Sequence, residues 1–277
     1  MFLIGQALVH CKNFNYSWSI LIQVKTCTFS FFEKRNSQPY ILDWRIQIDL
    51  PRPVGFAALF WDVVTMPDIE TARAWYSDSD PVHNFDHILR VYRMSEKIAL
   101  AEGADLEIVR AAALLHDAEG SNPADKARRK LHHHASAEFA AEVLRAEGWD
   151  AQRIAAVQHC IRAHRFRDAS EPPQTLEAKT IFDADKLDAI GAIGLARAIA
   201  YNALAGQPLY SPPSQQFIET GKKEPGEPHS AYHEYLFKLS KLKERMFTQT
   251  GRAIAQERHN VLEEFFQRLI AEWNGEK

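Results

Sequence analysis

Two ionisable residues, His116 and Asp117, directly follow the apolar run Ala111-Ala112-Ala113-Leu114-Leu115. Such a run reads as core, and histidine and aspartate seldom enter a core without a partner. The same conflict recurs twice. His83 and His87 stand four apart in His-Asn-Phe-Asp-His, and Asp185 lies inside Ile181-Phe182-Asp183-Ala184-Asp185-Lys186-Leu187. Neutral imidazole and carboxylate together form the ligand set of a borderline-to-hard divalent cation. The chain is therefore expected to build a metal site within a helical bundle. The alternative is a buried His–Asp hydrogen-bond network without metal.

Length and composition bound the rest. The 277 residues suffice for one large domain or two small ones, and the 46% apolar share supports a sizeable core. A net charge of -3 gives no general attraction to nucleic acid polymers or acidic membranes. Cys11, Cys27 and Cys160 have neither metal-type spacing nor the number for a disulfide framework. A reducing, cytoplasmic setting is expected. The apolar N-terminal stretches are interrupted by His10, Lys12 and Lys25, short of the ~20 apolar residues a membrane span needs. No basic segment precedes the apolar start, so no signal peptide is expected.

Two regions differ in character. Residues 1–65 are rich in Phe, Trp, Ile, Ser, Asn and Thr, poor in Ala, and hold no helical period. Ser19 to Phe32 and Arg45 to Leu50 are strand candidates. This region is read as an extension of no assigned function, disordered or arising from a misassigned start, with Met66 as the true initiator. From Met66 the pattern is helical and an all-α domain over 66–277 is expected. Its helices are placed at Asp68–Tyr76, Val82–Glu102, Asp105 to the break at Gly120–Pro123, Ser136–Glu147, Asp150–Arg165, Thr175–Ile190 with a continuation to Leu204, Ala231–Phe247 and Gly251–Trp273. Gly206 to Ser230 is proline- and glycine-rich without periodicity. It is read as a long loop and a candidate lid, with Lys222 and Lys223 as phosphate contacts.

Helical rotation of ~100° per residue tests whether the polar groups converge. Leu106, Val109, Ala113, His116 and Asp117 share one arc. Ala178, Ile181 and Asp185 form a stripe, so Asp185 takes a core position. His87 borders the apolar arc of Ile88, Val91, Tyr92, Ser95, Ile98 and Ala99. Buried carboxylates without partners cost several kcal/mol or become neutral, and one divalent cation relieves several of them at once.

These residues resemble a known family. His83-x3-His87-x2-Arg90-Val91, Leu115-His116-Asp117 and Asp183-Ala184-Asp185-Lys186-Leu187-Asp188 are similar in order, separation and setting to the HD-domain metal-dependent phosphohydrolases. The stretch from Asp185 to Arg197, and Met246-x2-Gln249-Thr250-Gly251-x3-Ala255, resemble a subgroup of small bacterial HD hydrolases. The likeness covers about residues 66–275 and implies an all-α HD-domain bundle. Carried over by position, the metal ligands are His87, His116, Asp117 and Asp185. The implied metal is divalent: Mn, Mg, Co, Ni or Fe. The implied reaction is cleavage of a phosphate ester or anhydride in a small molecule, a nucleotide first among the candidates, by a metal-activated water. Two readings compete with it: a two-metal phosphodiesterase of cyclic nucleotides or dinucleotides, and a nucleotide sensor without turnover.

Several other residues have lesser roles. His83, one turn before His87, either contacts substrate phosphate or hydrogen-bonds a ligand. Asp117 and His83 are the catalytic candidates. His164 continues the stripe Ile154, Val157, Ile161 and is read as a phosphate contact in a one-metal site. Lys186 and Arg90 are further phosphate candidates. His132 to His134 sit among Lys126, Arg128, Arg129 and Lys130 and are read as a solvated basic loop. Asp188 is placed behind Asp185 as support, and Asp183 is assigned to a helix ion pair with Lys179. The oligomeric state is left open.

Overall fold

Asp105, Asp150 and Thr175 each precede a helical stripe, and each caps a helix. Asp105 accepts from the amides of Glu107 and Ile108 at the start of α3 (Leu106–Leu115). Asp150 does the same for Gln152 and Arg153 at α5 (Ala151–Ala163). Thr175 accepts from Ala178 at α6 (Leu176–Leu187). Side-chain oxygens here satisfy amides that have no partner inside the helix. In the computed structural model the described residues are 5–13, 16–24, 66–76, 85–119, 126–166 and 171–277. The readings at His83, at the 120–123 break and at Arg45–Leu50 lie outside them.

The chain divides into two units, Met1–Phe60 and Trp61–Lys277. In the first, β1 (Gly5–Asn13) pairs antiparallel with β2 (Tyr16–Val24), with Gly5 opposite Val24 and Asn13 opposite Tyr16. The second strand begins three residues before the expected Ser19.

All regular secondary structure among the second unit's described residues is helical. α1 (Ile69–Arg73) is capped by Asp68. α2 (Phe85–Glu102) buries Phe85, His87, Ile88, Val91, Ser95, Ile98 and Ala99, the three-and-four spacing read from the sequence. Gly103, at φ +80°, ends it in the left-handed region that favours glycine. α4 (Lys126–Ala146) begins ten residues before the expected Ser136, so the His132–His134 run is helical and the solvated-loop reading is corrected. α6 and α7 (Gly191–Leu204) are separate helices. The Gly206–Ser230 segment contains α8 (Gln215–Thr220) and is pinned by Glu227, which accepts from the Ser214 and Glu224 amides and lies 3.0 Å from His233 Nε2. α9 (Ala231–Phe237), a 3-10 turn (Leu239–Arg245) and α10 (Gln249–Trp273) complete the chain.

Helices α3, α4, α5 and α6 share one apolar core around Ala111, Leu115, Leu144, Val157 and Ile181. A second core joins α2, α6, α7, α9 and α10 through Val91, Leu187, Leu262 and Phe266. Helix α6 belongs to both. Asp183 on α6 is fully buried and accepts from the Phe247 and Thr248 amides and the Thr248 hydroxyl at 2.7–2.9 Å. It anchors the start of α10, which replaces the expected ion pair with Lys179. Among the described residues, no single helix is long and apolar enough to cross a membrane.

Candidate metal centre

Three helix C-termini meet at one place. His116 is the C-cap residue of α3, His164 that of α5, and Asp185 stands in the last turn of α6. Each helix end carries roughly half a negative charge, so three together favour a cation. Tyr76 supports the end of α3: its hydroxyl donates to Leu114 O over 2.7 Å.

Both capping histidines are held in the same way. His116 Nδ1 lies 2.9 Å from Ala113 O and His164 Nδ1 lies 2.5 Å from Ile161 O, each a carbonyl three residues back. A carbonyl only accepts, so each Nδ1 carries the proton and each Nε2 presents a lone pair. His116 Nε2 is buried and has no hydrogen-bond partner. An unpartnered buried acceptor costs about 1–3 kcal/mol unless something electrophilic occupies it.

His87 is oriented by a carboxylate. Its Nδ1 lies 2.7 Å from Asp188 Oδ2, which turns Nε2 toward Asp185 Oδ1 at 3.5 Å and Asp117 Oδ2 at 3.9 Å. This is the carboxylate–histidine arrangement that fixes a metal-binding imidazole. Asp188 also takes two bonds from Arg90, at 2.6 and 3.0 Å, and one from Arg197 at 2.5 Å. The Arg90 guanidinium is thus turned onto Asp188.

Asp117 looks two ways. Its Oδ2 stands 3.7 Å from His116 Nε2, while its Oδ1 stands 2.8 Å from His132 Nε2 and 3.5 Å from His164 Nε2. Two ligand groups result, each with donor atoms within 4.8 Å of one another: His87, His116 and Asp117, and Asp117, His132 and His164. Lys186 Nζ bridges Asp185 Oδ2 at 2.5 Å and His164 O at 2.9 Å. It neutralises one carboxylate oxygen and the end of α5.

Charge follows from these neighbours. Burial alone would raise the Asp117 carboxyl, but His116, His132 and His164 hold it well below the usual carboxylate range. Asp185 is likewise lowered against burial by Lys186, His164, His87 and His116. Asp188 is lowered against burial by bonds from His87 and Arg90. Burial brings His116 down to about 4, so its ring is neutral at physiological pH. Ionised carboxylates facing neutral imidazole lone pairs are the protonation states a divalent cation requires. The donor set therefore fits a divalent metal.

Of the residues singled out from the sequence, His87, His116, Asp117, Asp185, His164 and Lys186 come together here, and Arg90 reaches the group through Asp188. His132 was not in the expected set. The buried stripe Leu144, Ala140, Ser136, extended backwards by a further four residues, reaches His132. That extension was the available signal. The surrounding basic residues obscured it.

The HD domain profile matches residues 84–190, a span that includes every ligand candidate above. The uncharacterized protein YpgQ of Bacillus subtilis is 33% identical over 207 residues, covering 72% of this chain and 91% of YpgQ. The crystal structure of YpgQ in complex with ADP aligns with a TM-score of 0.57 at 31% identity, over 74% of this chain and 97% of that one. An HD-superfamily hydrolase from Bacillus thuringiensis aligns with a TM-score of 0.56 at 27% identity, over 74% of this chain and 94% of that one. With its His-Asp pair at the end of α3 and its third ligand helix in place, the chain belongs to the HD domain family.

Proposed function

We propose that the chain is a metal-dependent phosphohydrolase acting on a small phosphorylated molecule, with a nucleotide as the substrate class. The observation that carries this reading is the buried, unpartnered Nε2 of His116, grouped with His87 and Asp117, with Asp185 Oδ1 3.5 Å from His87 Nε2. Those four residues would hold the metal. When bound there, a divalent cation supplies Lewis acidity toward a phosphate oxygen and lowers the pKa of water. The choice of a nucleotide is supported by the ADP complex of the relative YpgQ.

The protein's own groups divide the remaining work. Lys186, poised on Asp185, provides positive charge where phosphate must approach. His164 Nε2 keeps a free lone pair beside Asp117 Oδ1 and can take a proton. Arg90 positions His87 through Asp188. His83, four residues before His87 in the sequence, is assigned to the incoming phosphate.

The second ligand group favours a two-metal reading, with Asp117 bridging. One bond argues for a single metal. Arg165 Nη1 lies 3.0 Å from His132 Nδ1, and a guanidinium only donates. A neutral His132 therefore carries its proton on Nε2, 2.8 Å from Asp117 Oδ1, rather than a lone pair. Metal analysis of the purified protein, with phosphatase and pyrophosphatase assays across nucleotides in Mn, Mg, Co, Ni and Fe, tests the reading. One metal per chain and metal-dependent release of phosphate or pyrophosphate are expected. Two metals, with turnover of cyclic nucleotides, would favour the phosphodiesterase. Binding without turnover in every metal would mean a sensor.

A further inference from the structure

Asp188, which bonds the Nδ1 edge of His87, also lines a cavity of about 290 Å³. It is lined by Arg90, Arg93 and Lys97 of α2 and Arg258 of α10, together with Met94, Ala184, Ile193 and Asp188. Helices α7 and α10, which give no residue to the metal centre, form part of its wall. The spacing Arg90, Arg93, Lys97 puts three cations on one face of α2.

The charges in this cavity do not balance. Among the described residues Asp188 is its one carboxylate, and it is already bonded by His87, Arg90 and Arg197. Among the described residues, no carboxylate lies within salt-bridge distance of Arg93, Lys97 or Arg258. Arg258 is also prearranged. Its Nη1 donates to Leu187 O, and its stem crosses Gly191, where a Cβ would stand 2.9 Å from Arg258 Cγ. Gly191 has a φ of +75°, so glycine meets both the backbone and the space requirement. Holding a half-buried guanidinium in place beside another cation costs energy: burial lowers the Arg258 pKa, Asp188 opposes that shift, and Arg90 adds to it. A bound anion would offset that cost.

We propose that this cavity is a binding site for the phosphate group of a small phosphorylated molecule or for free phosphate, separate from the metal centre. Arg93, Lys97 and Arg258 would grip the phosphate oxygens. Met94, Ala184 and Ile193 would cover an organic group attached to it. The volume stands at the lower end of the roughly 300–1,000 Å³ seen for ligand pockets, which suits a phosphate with a small appendage. This inference goes beyond the proposed hydrolase activity and does not depend on it.

Calorimetric titration of the full chain, stripped of metal with EDTA so that the metal centre cannot capture phosphate, tests it. Inorganic phosphate and a nucleoside monophosphate are the probes, at fixed ionic strength. Saturable binding of one equivalent is expected, weakened at least tenfold by the double substitution Arg93→Glu, Lys97→Glu and retained in His116→Ala. Both substituted side chains are exposed, so the double variant should keep its helicity. Equal affinity for the two probes would identify free phosphate as the ligand, and tighter binding of the monophosphate an organic phosphate; either supports the site. The proposal is overturned if no probe binds saturably. It is equally overturned if binding survives charge reversal but is lost in His116→Ala.

Discussion

Asp188 Oδ2 accepts from His87 Nδ1 over 2.7 Å, tying helix α2 to the end of α6 through 101 residues of sequence. Asp188 and Asp185 are three residues apart, yet they act at different distances from the centre. Asp185 Oδ1 stands 3.5 Å from His87 Nε2, on the side of the proposed metal, and Asp188 bonds the far side of the same ring. Asp185→Asn should therefore abolish metal retention and turnover while helicity stays nearly intact. Asp188→Asn should lower metal affinity by ~10–100-fold, the range typical of groups behind a ligand. Metal content after dialysis and circular dichroism of both variants check this. Unchanged metal in Asp185→Asn would remove it from the ligand set.

Acid should destabilise the metal-free protein above the range in which its carboxylates titrate. Burial brings His116 from 6.5 down to about 4, and His133 shifts likewise, also through burial. The unfolded chain takes up these protons first as pH falls. Stability is thus complete above about pH 6.5 and declines toward pH 4. For fully buried His116 the span corresponds to about 3 kcal/mol at most. Asp117 and Asp185 are lowered, so their contributions are lost only at lower pH. Denaturant unfolding of EDTA-treated protein from pH 7.5 to 4.5 measures the slope, and His116→Asn should flatten it.

Gly251 is expected to tolerate no side chain. A Cβ there would stand 2.3 Å from Asp183 Oδ2 and 2.7 Å from the Thr248 hydroxyl oxygen. Gly251→Ala should cost about 1–3 kcal/mol, as crowding in packed interiors does. It should lower the melting temperature without changing metal stoichiometry, because Asp183 lies outside the ligand group. A melt unchanged within error would show that the Asp183–Thr248 contact is looser than drawn.

Composition, periodicity and family likeness all change near Met66. We expect a protein beginning at Met66 to remain helical, to hold the same metal content and to match the full chain in activity. Circular dichroism, metal analysis and the nucleotide assay together decide it. Unfolding or metal loss in the shortened protein would assign residues 1–65 a part in the domain.

How legible this was in the sequence varied with the physics. His116, Asp117 and Asp185 stood out because apolar runs surround them, and a polar group in such a run needs a partner. Helix starts were readable at Asp68, Asp105, Asp150 and Thr175, since each cap lies next to its stripe. The start of α4 was missed because its first turns carry Lys126, Arg128, Arg129 and Lys130, a composition that also fits a loop. Asp183 was misassigned because its partners, Phe247 and Thr248, lie 64 and 65 residues away, and local spacing offered Lys179 instead. Nothing local in the sequence tells that Arg90 turns onto Asp188.

Asp183, Asp185 and Asp188 all belong to one short stretch, α6 and its cap, and each answers to a different neighbour: the start of α10, the metal centre, and the His87–arginine cluster. Turning α6 by a single residue would swing all three carboxylates by ~100° together. One inserted or deleted residue here would unseat a helix, empty a coordination sphere and release a guanidinium in the same stroke. The segment should thus accept changes of side chain far more readily than changes of length.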